Sequence, residues 1–135
     1  METFSEIAEF AREHFNAVHD EKFVLGLEIP TGRAGRHQSV FLAEIKDDND
    51  RRYLHLETTV GPLGQHDPLK VLRINLMLRV GYLAVGDLES VPFLKLCENI
   101  DYRYLGQELL LETVRQLAEL GDEMEQTLTH GGDWF

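Results

Sequence analysis

A few side chains in the middle of the chain have the types and spacing for chemistry. His55 and Glu57 stand two residues apart in an alternating stretch, so both leave one face of a strand, and His37 belongs to the strand before it. An imidazole beside a carboxylate is the minimum for an acid–base pair, and a second imidazole nearby would begin a metal site. A histidine and a carboxylate on a solvent-facing strand are most often polar surface. The reading is therefore a protein without catalytic, cofactor or metal residues. Cys97 is the single cysteine, so it has no partner for a disulfide or a CxxC site, and its place in a strand predicts a small buried hydrophobe. Asp47-Asp48-Asn49-Asp50 lacks the glycine and distant glutamate of a calcium loop and reads as a solvated turn. Arg33, Arg36, Arg51 and Arg52 form a basic patch only if their two turns meet. Phosphate-loop, dinucleotide, nucleophile-elbow and zinc-protease signatures do not occur.

The elements that hold these residues follow from periodicity and punctuation. Phe4, Ile7, Ala8, Ala11, Phe15 and Val18 recur at helical steps and predict a first helix from Thr3 to Val18. Phe10 falls off its stripe. Three strands follow: Lys22 to Pro30, where Phe23, Leu25, Leu27 and Ile29 alternate; Val40 to Ile45, apolar on both faces and so central; and a third in which Leu54, Leu56, Thr58 and Val60 face inward while Tyr53, His55, Glu57 and Thr59 stay wet.

Asp67 and Pro68 open a middle helix that the pattern carries to Gly81, because a capping carboxylate and a proline at the first helical position are both favoured there. Leu69, Leu72 and Leu76 keep its stripe, and Val71, Ile74 and Leu78 widen it beyond what one contact buries. Tyr82 to Val85 and Val91 to Cys97 read as a strand pair. A last helix starts near Leu105 with Leu110, Val114, Leu117, Gly121, Met124 and Leu128 in line, and an Asp133-Trp134-Phe135 tail follows. The whole predicts an α+β fold, an antiparallel sheet with helices in the order α-β-β-β-α-β-β-α, with residues 1–130 as one domain and 131–135 as a short tail.

Size and charge set the class. A chain of 135 residues with 43% hydrophobic and 27% charged residues builds one real core without staples. A net charge of −11 disfavours nucleic acid and anionic membranes and suits a protein partner with basic or mixed-charge segments. No apolar run is long enough to span a bilayer, and the opening METFSEIAEF lacks the order of a secretion signal, which predicts a cytoplasmic protein.

Leu72-Arg73-Ile74-Asn75-Leu76-Met77-Leu78-Arg79-Val80-Gly81-Tyr82-Leu83-Ala84-Val85-Gly86, followed by a short apolar strand and an acidic final helix, resembles the bacterial superfamily of type III secretion chaperones of the CesT (Tir-chaperone) type and the related YbjN-like proteins. Asn75 sits where those families carry an asparagine in a leucine-rich helix, and Asp122 to Leu128 is more similar to the YbjN-like helix end. The resemblance implies a homodimer built on the middle helix and the strands after it, through Leu72, Leu76, Leu78, Tyr82, Leu83 and Val85. It also implies a protein or peptide client, such as a secreted effector, held extended against Phe4, Phe10, Val24 and Phe41. The YbjN-like side of the likeness implies instead a regulator of a folded partner.

Overall fold

The computed structural model describes residues 1–32 and 35–129. Its elements are α1 (Phe4–His14), β1 (Asn16–Glu21), β2 (Val24–Pro30), β3 (His37–Lys46), β4 (Arg52–Pro62), α2 (Pro68–Ile74), β5 (Tyr82–Leu88), β6 (Val91–Asp101), a 3-10 turn (Tyr102–Tyr104) and α3 (Gln107–Thr129). The six strands form one antiparallel sheet in the order β1-β2-β3-β4-β6-β5. The α+β class with an antiparallel sheet is as the patterning predicts, with one strand more. Arg33 and the Asp133–Phe135 tail lie outside the described residues.

The additional strand corrects the first helix. Thr3 caps α1 by accepting the Glu6 N–H at 3.1 Å, but the helix stops at His14 because Phe15 is extended (φ −134, ψ 159). Residues from Asn16 on then pair with β2, whose outer N–H and C=O groups would otherwise lack a strand. The helical spacing of Phe15 and Val18 is incidental: Phe15 packs on the core from a coil position, and Val18 is exposed at a bulge between Ala17 and His19.

One face of the sheet holds the core. Leu25, Leu27, Leu42, Leu54, Leu56 and Leu96 are fully buried against α1 and α3, which contribute Ile7, Ala11, Leu110, Val114 and Leu117. The helix α3 crosses β3 and β4 closely at Gly121, where a Cβ would come within 2.6 Å of Thr58 Cγ2, so a larger residue would push the helix off the strand. One residue on, Asp122 clamps the β2–β3 connection. Its carboxylate accepts from Arg36 Nη2 at 2.6 Å and from Thr31 Oγ1 at 3.1 Å. The guanidinium holds the Asp122 carboxyl below the usual range.

Arg36 and the Arg51–Arg52 turn therefore do not form a patch. They lie beyond opposite ends of β3. Arg51 instead approaches Asp101, which Arg103 also engages at 2.8 Å. Asp47 shapes the acidic turn as a solvated loop, accepting the Asn49 and Arg51 N–H groups at 2.8 and 3.0 Å.

Candidate functional site

The surplus apolar surface collects at one edge of the sheet. Asp67 accepts the Leu69 N–H at 3.0 Å and Pro68 occupies the first helical turn, so α2 starts where its punctuation places it. It ends at Ile74, not Gly81. The reason is Asn75, whose side chain turns to β5: its Oδ1 accepts the Leu83 N–H at 2.6 Å and its Nδ2 donates to the Leu83 carbonyl at 3.3 Å. One amide thus takes the place of a neighbouring strand at Leu83. Since β5 is the last strand of the sheet, those Leu83 groups point away from β6, and by antiparallel alternation those of Val85 and Asp87 do too. Among the described residues no strand covers that edge.

The short helix buries Val71 and Ile74, both 2% exposed, and turns Leu69 and Leu72 outward, with Leu76 and Met77 following just past its end. Leu72 is 60% exposed, Leu76 91% and Met77 67%, and Val85 beside them is 52% exposed. These residues and the bare edge adjoin through the Asn75 staple. Of the six expected contact residues, Leu72, Leu76 and Val85 stand exposed, while Leu78 and Tyr82 are half-buried. Leu83 is a correction: at 4% exposure it faces the core opposite Leu96, since the strand alternation that exposes neighbouring positions turns it inward.

The other surface is the sheet face opposite the helices. Val24, Phe41, His55, Glu57, Lys95, Cys97 and Asn99 share it by register. Its apolar part lies over β2 and β3, where Phe41 crosses Gly26. A Cβ on Gly26 would lie 2.8 Å from Phe41 Cε1, so the glycine gives the ring its seat, and His19 meets it edge-on at 6.1 Å. Phe41 remains 37% exposed and Val24 half-buried beside it. Phe4 is a further correction. Only 3% exposed, it is a core residue of α1 on the opposite side of the sheet, and Phe10 is half-buried there against His14, with ring centroids 4.3 Å apart. The four residues expected to meet a client therefore separate into two pairs on opposite faces.

The polar part of the same face is an ionic network. His55 Nε2 contacts Glu57 Oε1 at 3.1 Å, Lys95 Nζ donates to Glu57 Oε2 at 2.7 Å, His55 Nδ1 meets Asn99 Oδ1 at 2.7 Å, and Asn99 Nδ2 donates to the Tyr82 hydroxyl at 2.9 Å. Cys97 and Glu57, both acceptors toward the ring, raise the His55 pKa to about 10. His55 and Lys95 lower that of Glu57 to about 2. The charged forms of both His55 and Glu57 are thus favoured, which suits an ion pair. Lys95, Asn99 and Tyr82 were not singled out by spacing, because strand register alone brings them to His55.

His37 does not join them. It pairs with Pro30 near the start of β3, whereas His55 faces Ala43, a separation of about 20 Å along a strand. Cys97, 4% exposed, is the small buried residue its strand position predicts. Among the described residues no three His, Cys, Asp or Glu groups converge as a metal site, and no helix is long and apolar enough to cross a membrane. In comparisons with known proteins, no family model and no curated protein matches the chain.

Proposed function

We propose that the protein is a non-catalytic binding module that works as a homodimer and holds a segment of a client protein, in the manner of the secretion-chaperone and YbjN-like superfamily that its sequence resembles. One observation carries the reading: Leu72, Leu76, Met77 and Val85 stand exposed beside an unpaired strand edge. Leaving that much apolar surface in water is unfavourable at about 25 cal/mol per Å², and a second copy removes it.

A two-fold axis at β5 sets the strand antiparallel to its own copy, so the outward N–H and C=O groups of Val85 and Asp87 find partners while the α2 leucines close over the seam. The usual scale of such a contact is about 800 Å² per partner. The client surface in this reading is the open sheet face at Val24 and Phe41, which the pairing leaves free. An extended segment there lies over a broad, shallow apolar strip instead of filling a pocket.

Sedimentation equilibrium at micromolar concentration tests the assembly, with dimer expected for the parent chain and monomer for Leu76→Glu. Parent protein that stays monomeric removes the reading. Co-purification from the native cell tests the client: an unfolded segment supports the chaperone role, and a folded partner replaces it with the regulatory one.

A further inference from the structure

At one corner of the molecule β3 and β4 run on past the first turn of α1, and the sheet there carries charge where the rest of that face carries core. Lys46 and Arg52 are direct cross-strand partners. They continue the face used by Leu42, Leu54 and Leu56. Like charges set opposite each other in an antiparallel pair repel and cost stability. Among the described residues neither side chain has an ion pair or hydrogen bond to offset that cost.

Three carboxylates share the lining, each with a partner of its own: Glu21 contacts His19 Nε2 at 3.2 Å, and the other two are Glu44 and Asp20. Glu44 accepts from the Tyr102 hydroxyl at 3.1 Å, and Asp20 is held by both Nε and Nη2 of Arg12 at 2.7 and 2.8 Å. A third cation, Lys22, lines the same cleft from the β1–β2 turn, with only the Phe23 ring beneath it at 5.4 Å. Three cations without an ion pair thus line one cleft, together with Glu21 and Glu44, in a chain of net charge −11. The cleft between them has a volume of about 620 Å³, in the range that holds small organic ligands. Its wall includes Phe23, half exposed and edge-on to Phe4 at 6.4 Å. The Thr3 hydroxyl, also in the lining, accepts from the Glu6 N–H, so its own hydrogen is left to donate.

We propose that this cleft binds a small organic phosphate, with the phosphoryl oxygens between Lys46, Arg52 and Lys22 and the ring or apolar part of the ligand against Phe23. A phosphomonoester fits better than a carboxylate because it brings up to two negative charges and three terminal oxygens to three cationic donors, one of them a planar fork. The site is separate from the α2–β5 edge and from the open sheet face, and it stands or falls independently of them.

Titration calorimetry of the intact protein at low ionic strength tests it, with phenyl phosphate, inorganic phosphate and benzoate as probes. Phenyl phosphate is expected to bind about tenfold more tightly than either of the others, and Lys46→Ala and Arg52→Ala each to lose about tenfold in affinity. Lys70→Ala, on the exposed side of α2, leaves binding unchanged. Thermal melting gives a second readout. Free Lys46→Ala melts at or above the parent because the like-charge pair is gone, and phenyl phosphate raises the Tm of the parent but not of the variant. No binding at millimolar phenyl phosphate, equal binding by the variants, or benzoate binding as tightly as phenyl phosphate overturns the proposal.

Discussion

The two edges of the sheet are built in opposite ways. At β1 the chain defends its outer strand: a bulge at Val18 breaks the flat edge, Asp20 and Glu21 put charge along it, and Arg12 from α1 grips Asp20 through two hydrogen bonds. At β5 the outer strand reads Tyr-Leu-Ala-Val-Gly-Asp-Leu, without proline, lysine or a bulge, and among the described residues the Asn75 amide at Leu83 is what bonds to its outer side. Natural sheets blunt edges meant to stay alone. The difference teaches that the molecule excludes strand pairing on one side and leaves it open on the other, where the exposed leucines of α2 also stand.

The largest expected effect on that contrast comes from Leu76→Glu. A charge at a 91% exposed position leaves the protomer intact, but within a two-fold seam it appears twice and is desolvated. Self-association is expected to weaken by about 2–4 kcal/mol, read by sedimentation equilibrium, with an unchanged circular dichroism spectrum. Next is Val85→Pro, which removes an outward N–H on an edge strand, where proline is tolerated. Association is expected to fall by about 2 kcal/mol while urea unfolding of the protomer shifts by less than about 1 kcal/mol. Equal losses in both measurements would mean that the Val85 N–H does not face outward.

Asn75→Ala acts on the staple itself. Losing both bonds to Leu83 leaves two backbone groups without a partner and is expected to cost about 1–2 kcal/mol of protomer stability in urea. Smaller still is the pH response of the network that links β4, through Asn99, to Tyr82 on β5. The folded-state pKa of His55, about 10, lies above its unfolded value of 6.5, so its stabilisation is complete below pH 6.5 and is lost as pH rises toward 10. The Glu57 pKa, about 2, lies below 4.5, so its share is complete above pH 4.5 and fades as pH falls toward 2. Urea midpoints should thus hold from these groups between pH 4.5 and 6.5, and His55→Gln should flatten the alkaline fall relative to the parent. The smallest effect is expected at the defended edge. Arg12→Ala breaks an exposed pair with Asp20, and neither the melting temperature nor the association state should move measurably.

Much of this contrast could be read from residue order, and some of it could not. Alternation located β2 and β4 because each has one buried face, and Asp67-Pro68 marked the start of α2. The edge β1 was hidden because Phe15 and Val18 happen to extend a helical spacing, and sheet pairing with β2 outweighs that local signal. Asn75 stood out in the sequence, but its bonds to Leu83 did not, since they depend on where β5 passes. The same limit applies to the site. His55 and Glu57 were legible as same-face neighbours two residues apart, whereas Lys95, Asn99 and Tyr82 reach them only through register across three strands. His37 failed for the converse reason: a neighbouring strand is not a neighbouring position.

The close seat of α3 on β3 and β4 at Gly121 also bears on how the chain is made. The helix that roofs Leu42, Leu54 and Leu56 leaves the ribosome after every strand it covers. For the time needed to synthesise it, on the order of seconds, a nascent sheet has an oily side bare in a crowded cell, and the Asp122 clamp that fixes the β2–β3 connection does not yet exist. A protein proposed to hold segments of others passes through the same hazard each time it is made.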